Sequence, residues 1–229
     1  TENTDAGERE AAGEIVGEHA MKPAVIVVHG LYLHTFCMQY WQGRLRAAGY
    51  DVYGFNYKSM SEDLSSAACD FAKFISTVPN QTIHCVGHSL GGLLIMQMLH
   101  EFPQPRVQRA VLVGSPYQKA HVPYALANHA AGRFILGKAM KQWIAQKSFA
   151  SPPAEIGVIA GSRPYGLGRL VAPGIPKPHD GTVAVSETTL PGMKDKIVLP
   201  VTHTQMLFSK KVMQQMENFL RSGKFDHAS

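Results

Sequence analysis

Ser89 lies in Val86-Gly87-His88-Ser89-Leu90-Gly91-Gly92, between a short β-branched segment, Thr82 to Val86, and an apolar run without Gly or Pro, Leu93 to Leu99. A G-x-S-x-G serine with a strand before it and a helix after it matches a nucleophile elbow, a strained turn that lifts the hydroxyl into the open. Gly87 and Gly91, two residues to either side, leave room where the backbone folds back on itself. Ser89 is therefore the candidate nucleophile. The plainer reading, a glycine-rich turn whose serine caps the next helix, leaves the residues below unexplained.

A serine hydroxyl is a weak nucleophile until an imidazole takes its proton, and that imidazole needs a carboxylate on its far nitrogen. In an elbow fold the chain order is serine, acid, histidine, with the acid and histidine on loops after strands. Of the late histidines, His227 is in a polar tail and His179 precedes the last strand-like segment, Lys196 to Val201. His203, two residues beyond that segment, is the candidate base. The carboxylates between Ser89 and His203 are Glu101, Glu155, Asp180, Glu187 and Asp195. Glu101 ends the elbow helix, Glu155 opens a strand at its wrong end, and Asp195 sits in a turn before the last strand. Asp180, in His179-Asp180-Gly181-Thr182-Val183, is the candidate acid, with Glu187 a distant second. The oxyanion of a tetrahedral intermediate needs two backbone N–H donors, one after the nucleophile and one in the loop after an early strand. Leu90 and Leu31, the latter in His29-Gly30-Leu31, hold those positions.

These residues need a frame that brings distant loops together, and the pattern supplies one. Ala24 to Val28 is a continuous β-branched run of the kind found in strands covered on both faces. Phe36 to Ala48 reads as a helix with Trp41, Leu45 and Ala48 inward and Gly49 past its end. Asp51 to Tyr57 is the next strand. A helix from the acid-rich start at Ser61 to Leu64 runs to about Thr77, with Leu64, Ala67, Ala68, Phe71 and Ile75 inward. The elbow strand and helix follow, then strands at Arg109 to Gly114 and Glu155 to Gly161, and a closing helix from Lys210 to Leu220. This alternation predicts an α/β fold, a compact, mostly parallel sheet of about six strands with helices on both faces. The rhythm stops at about 115–150, which reads as a small helical cap over the sheet's carboxyl edge. Within it Arg133 to Lys147 is amphipathic, with Leu136, Ala139, Met140 and Trp143 on one face and Lys138 and Lys141 off it.

With 229 residues the chain fits one domain with a substantial core. Residues 1–20 are polar, with six acids against Arg9, and read as a flexible leader; residues 21–229 form the α/β domain. The leader's balance of −5 against a total of +5 leaves +10 on the remainder, and from Lys119 to Lys177 eight basic residues face one acid, Glu155. That bias predicts an anionic partner at the cap: an acyl-carrier protein, a phosphate-bearing coenzyme or a membrane surface. No nucleic-acid motif accompanies the charge. Cys37, Cys69 and Cys85 lack metal-ligand spacing, and His34, His84, His88, His100, His121 and His129 form no HExxH or CxxC pattern, so neither metal nor cofactor is expected. The scattered odd thiols suit a reducing, cytoplasmic compartment. No signal-peptide core follows Thr1, and a chain opening without methionine points to a front that has been truncated or processed.

The pattern from Pro23 onward resembles the α/β-hydrolase superfamily. His29-Gly30-Leu31, the GHSLGG run, Asp180-Gly181 and His203 stand where that superfamily keeps its oxyanion loop, elbow, acid and base. The HGL opening and the HDGTV segment look most like bacterial lipases and PGAP1-like serine esterases. The resemblance implies ester, thioester or amide hydrolysis. The leading expectation is a serine hydrolase of carboxylic esters. The alternatives are a thioesterase or esterase of carrier- or CoA-bound acyl chains, and a catalytically silent binding module on the same fold.

Overall fold

The computed structural model describes residues 22–118, 121–127, 136–145, 153–166 and 174–228. The polar leader, together with Lys119, His129, Arg133, Lys147 and Arg169, lies outside the described residues. Six strands form one sheet: β1 (Ala24–Val28), β2 (Asp51–Phe55), β3 (Ile83–His88), β4 (Val107–Val113), β5 (Glu155–Gly161) and β6 (Asp195–Leu199). Their order is β2-β1-β3-β4-β5-β6 and every pairing is parallel. Parallel strands with covered faces need apolar side chains on both sides, which is why β1 is the unbroken run Ala24-Val25-Ile26-Val27-Val28, buried throughout.

Alternate residues of the central strands supply two cores. On one face, Ile26, Val28 and Cys85 pack with Phe71, Ile75 and Leu94, side chains of α2 (Leu64–Thr77) and α3 (Leu90–Glu101). On the other, Val25, Val27 and Val86 pack with Trp41 and Leu45 of α1 (Gln39–Ala47) and with the closing helix. The β-branched strand residues thus hold helices on both sides of the sheet. The start of the first helix is tighter than the periodicity implies: Thr35–Met38 is a 3₁₀ turn that hands over to α1, and Ala48 is exposed rather than inward.

After β4 the chain leaves the sheet, and before β5 the described residues form two helices, α4 (His121–Ala127) and α5 (Gly137–Ala145). Leu136, Ala139, Met140 and Trp143 are buried in the core of the α2–α3 face, while Lys138 and Lys141 are exposed. Polar contacts lock α5 to that face: Gln142 Oε1 accepts the Leu64 and Ser65 N–H groups at 2.5 and 3.2 Å, and Gln142 Nε2 donates to Ser65 Oγ at 2.9 Å. A side chain from α5 thereby satisfies N–H groups in the first turn of α2, groups with no acceptor inside their own helix. The closing helix, α6 (Lys210–Ser222), starts with Ser209 as its N-cap and ends on Gly223 in the left-handed region. Val212, Met216 and Phe219 face inward as their spacing predicts.

Candidate functional site

At the end of β3 the backbone turns sharply into α3, and Ser89 occupies the turn with φ 53° and ψ −119°. A non-glycine residue there is strained, so the surrounding packing must impose it. The Ser89 N–H donates to Val113 O of β4 at 2.9 Å and Ser89 O accepts from Gly92 N at 3.0 Å. The glycines are needed because α3 begins so close to the sheet. A Cβ on Gly91 would stand 2.5 Å from the carbonyl oxygens of Val28 and His29, and one on Gly87 would stand 2.6 Å from Gly91 C and Gly92 N.

The loop after β1 runs directly beside this turn. A Cβ on Gly30 would be 3.3 Å from Ser89 Cβ, and the loop closes a turn through Leu33 N–H to Gly30 O at 3.3 Å with Tyr32 at φ 60°. Leu31 therefore sits in a tight turn next to the serine. Leu90 is the first residue of α3, where an N–H has no intrahelical acceptor. His29, fully buried, anchors the loop: its Nδ1 lies 2.9 Å from Gly30 O and its ring stacks on Tyr57 at 4.6 Å. Nε2 accepts the Tyr57 N–H at 3.4 Å, and the Tyr57 hydroxyl donates to His29 O at 3.1 Å. Nδ1 must then carry the proton, and burial holds the pKa of His29 below the ordinary imidazole value.

His203 and Asp180 arrive from the loops around β6. His203 Nδ1 is 2.7 Å from Asp180 Oδ2, and the His203 N–H donates to Asp180 O at 2.9 Å. Asp180 is 1% exposed and its other oxygen, Oδ1, accepts from Thr182 N at 2.9 Å and Val183 N at 2.7 Å. Burial alone would raise the pKa of this carboxyl. The His203 partner and the two amide donors outweigh it, so the pKa lies below the usual carboxylate value. Gly181, at φ +97°, sits against Tyr165 O so closely that a Cβ there has no space. The Asp-Gly pair is thus fixed both by its turn and by its neighbour.

His203 meets the elbow through the end of β4 and through His88. A Cβ on Gly114 would be 3.2 Å from the His203 ring, and the His88 and His203 ring centroids are 4.7 Å apart. Among the described residues no hydrogen bond joins the Ser89 hydroxyl to His203 Nε2; catalytic contacts of this kind are commonly loose without substrate. The remaining candidates are elsewhere. Glu187 is buried and accepts from His121 N at 2.6 Å and Ala184 N at 2.8 Å, tying α4 to the acid loop, and burial pushes its pKa up. Glu101 bonds Gln97 and Ser65, and Glu155 pairs with Arg109 and Lys194 at the amino edge of the sheet. Asp195 is the first residue of β6 rather than part of a turn before it, at that same edge. Among the described residues no cluster of three or more His, Cys, Asp or Glu side chains is arranged to hold a metal.

The model of the alpha/beta hydrolase family matches residues 25–215 of the chain. The chain belongs to that family. A curated relative, an uncharacterized carboxylesterase of Bacillus subtilis strain 168 named nap, is 29% identical over 118 residues, 45% of this chain; the match spans 39% of that relative's own length. Among solved structures, the mature Bacillus licheniformis lipase BlEst2 superposes with a TM-score of 0.69 at 17% identity, covering 89% of this chain and 94% of that one. The Bacillus subtilis carboxylesterase CesB gives 0.56 at 16% identity, with 88% and 84% covered. At these identities the structural neighbours establish the fold. The six-stranded parallel sheet with helices on both faces is the α/β-hydrolase fold.

Two positioning side chains escape sequence reasoning. In the sequence His88 stands only as part of the elbow run and outside any metal-ligand pattern, yet its Nε2 lies 3.1 Å from His203 O. Facing a carbonyl, Nε2 must donate, which leaves Nδ1 as a buried acceptor with no partner among the described residues, beside Gly30. Burial first, and the neighbouring His203 second, lower the pKa of His88 to about 3, so it is neutral throughout the working pH range. Trp41 braces the same loop by donating from Nε1 to Met206 O at 3.3 Å. The only sequence mark of His88 is its place one residue before the serine, and Trp41 reads simply as core.

Proposed function

We propose that this chain is a serine hydrolase of carboxylic esters working through an acyl-enzyme. The observation that carries the reading is the His203 imidazole. It is bonded through Nδ1 to a buried, ionised Asp180 and packed against the turn that holds Ser89 in a strained conformation. His203 Nε2 takes the Ser89 hydroxyl proton as Oγ attacks the ester carbonyl, and the N–H groups of Leu31 and Leu90 hold the resulting oxyanion. Collapse expels the alkoxide, which leaves as alcohol with the proton from His203. Water, deprotonated by the same imidazole, then attacks the acyl-enzyme to release the acid and restore Ser89. Asp180 keeps the Nδ1 proton in place and stabilises the cation that His203 becomes. No step calls for a cofactor. The carboxylesterase and lipase names of the relatives support the substrate class.

A thioester substrate on a coenzyme or carrier protein is the second reading, favoured by the exposed Lys138 and Lys141 on the cap helix. The discriminating experiment labels folded protein with a fluorescent fluorophosphonate beside Ser89→Ala, then compares p-nitrophenyl esters with acyl-CoA. Serine-dependent labelling with ester turnover is the expected result. Turnover confined to the thioester, with KM rising with salt, favours the second reading, and a folded protein that neither labels nor turns over is a binding module.

A further inference from the structure

Among the described residues five large apolar side chains are exposed, and four of them sit on loops that leave the carboxyl ends of strands: Tyr32 (58%) and Phe36 (69%) after β1, Tyr165 (68%) after β5 and Phe208 (61%) after β6. Scattered exposed hydrophobics are ordinary, but this placement gathers them around one edge of the sheet, the edge that carries Ser89 and His203. The same three loops expose no acid: the two carboxylates between β5 and β6, Asp180 and Glu187, are buried. No Asp or Glu occurs in residues 29–50, 162–179 or 196–216. Arg163, Lys210 and Lys211, all exposed, lie in these stretches, and among the described residues none of them has an acidic partner. At the opposite edge Arg109 and Lys194 both pair with Glu155. Arg163 and Phe208 share the wall of an open cavity of about 340 Å³ beside Val201 and Gln205, two residues to either side of His203.

We propose that the loops after β1, β5 and β6 form a docking surface for an anionic phospholipid bilayer. Aromatic side chains partition into the headgroup boundary and unpaired cations are drawn to anionic lipid; the combination holds a protein on a membrane without a spanning segment. Charge complementarity selects this occupant, since a rim of exposed cations and aromatics without exposed acid matches a surface that is both negative and apolar. Docked in this way the chain turns the Ser89 turn toward the lipid. The site would then draw on esters held in or at the membrane as well as those in water. The inference rests on the esterase reading for that last consequence, while the docking itself does not require turnover.

The test uses the full chain carrying Ser89→Ala, verified as folded by circular dichroism, in co-sedimentation with phosphatidylcholine vesicles with and without phosphatidylglycerol. Binding is expected only with phosphatidylglycerol and falls as salt rises. Adding Lys210→Gln and Lys211→Gln should weaken partitioning by about fivefold per charge, roughly twenty-five-fold together. Phe208→Ala should weaken it by about tenfold, and Lys138→Gln with Lys141→Gln on the cap should leave it unchanged. No binding, equal binding to both vesicle types, or loss through the cap lysines with the Lys210 and Lys211 pair retaining binding would each overturn the proposal. Hydrolysis of a soluble p-nitrophenyl ester by the unmodified chain is read separately. Turnover without vesicle binding refutes the docking surface alone, and vesicle binding without turnover or labelling refutes the esterase reading alone.

Discussion

Two His–Asp pairs stand at opposite edges of the same sheet. At the carboxyl edge His203 Nδ1 is 2.7 Å from Asp180 Oδ2; at the amino edge His227 Nε2 is 3.0 Å from Asp195 Oδ1. Residue types and distances barely distinguish them. Surroundings do. Asp180 and His203 are 1% and 14% exposed, and His203 packs against His88, the residue before the strained serine, whereas His227 is 58% exposed. Asp195 is occupied with the Phe225 N–H at 2.7 Å and the Lys196 N–H at 2.8 Å. The outer pair fastens the chain's end to β6. In the proposed mechanism a carboxylate–imidazole contact serves catalysis only where water is excluded and a nucleophile is within reach, and the carboxyl edge of a parallel sheet is where ligands bind.

The widest separation between the pairs should come from matched amide substitutions. Asp180→Asn is expected to lower kcat for a p-nitrophenyl ester by about 10⁴-fold, because the amide stabilises the wrong imidazole tautomer. Asp195→Asn should keep kcat within about twofold and instead cost about 1–2 kcal/mol in urea unfolding, from the lost charge-assisted bonds. Comparable kcat losses from both would mean that the outer pair also serves the chemistry.

His88 allows a finer cut through the inner pair, since it holds His203 by the backbone rather than by the reacting nitrogen. His88→Phe keeps a ring against His203 but removes the donor to its carbonyl and with it the buried, unpartnered Nδ1. The expected result is a fall in kcat of about three- to tenfold, equivalent to one neutral hydrogen bond's worth of positioning. KM should change little, because the contact is to the backbone of His203 and not to substrate. A loss of thermal stability with kcat unchanged would reduce His88 to packing.

The two edges also differ in how much of them the sequence discloses. Ser89, Asp180 and His203 are legible because each obeys a local rule: a glycine-flanked turn between strand and helix, an Asp-Gly turn after a strand, a histidine just past the last strand. β5 is legible to the residue, since Glu155 to Gly161 is an apolar run bounded by breakers. What escapes is set by contacts between segments distant in the chain. Trp41 braces Met206 across 165 positions, and Gln142 caps α2 across 78. Ala48 reads as inward on periodicity alone, yet α1 ends at Ala47 and Ala48 is exposed. The roles of Asp195 and His227 were invisible because their partners, the Phe225 N–H and each other, meet only once α6 has carried the chain back to the amino edge.

Gln142 tests whether the cap is part of the same rigid frame as the inner pair. Gln142→Ala strands the N–H groups of Leu64 and Ser65 at the head of α2, and the loss should be about 1–2 kcal/mol by urea unfolding. Hydrogen exchange at Leu64 and Ser65 should rise with it, while fluorophosphonate labelling of Ser89 persists.

The smallest effect separates the inner pair from the outer by pH. The folded-state pKa of Asp180 lies below its unfolded value, because His203 and the Thr182 and Val183 amides together outweigh its burial. A depressed carboxyl contributes stability that is complete above the unfolded carboxylate pKa, near 4, and is lost as pH falls through the folded value. Melting temperatures taken at pH 6, 4 and 3 should therefore converge for the unmodified chain and Asp180→Asn as acid is added, the variant having no carboxyl there to protonate. The pKa of Asp195 is also depressed, with burial again opposed by the Phe225, His227 and Lys196 contacts, so Asp195→Asn should converge in the same direction. Activity breaks the symmetry: between pH 6 and 8 the Asp195→Asn variant should follow the unmodified chain's rate profile, since the carboxyl it replaces lies at the amino edge, away from Ser89. Asp180→Asn should remain depressed at every pH, because what it lacks is the tautomer rather than a charge that base could restore.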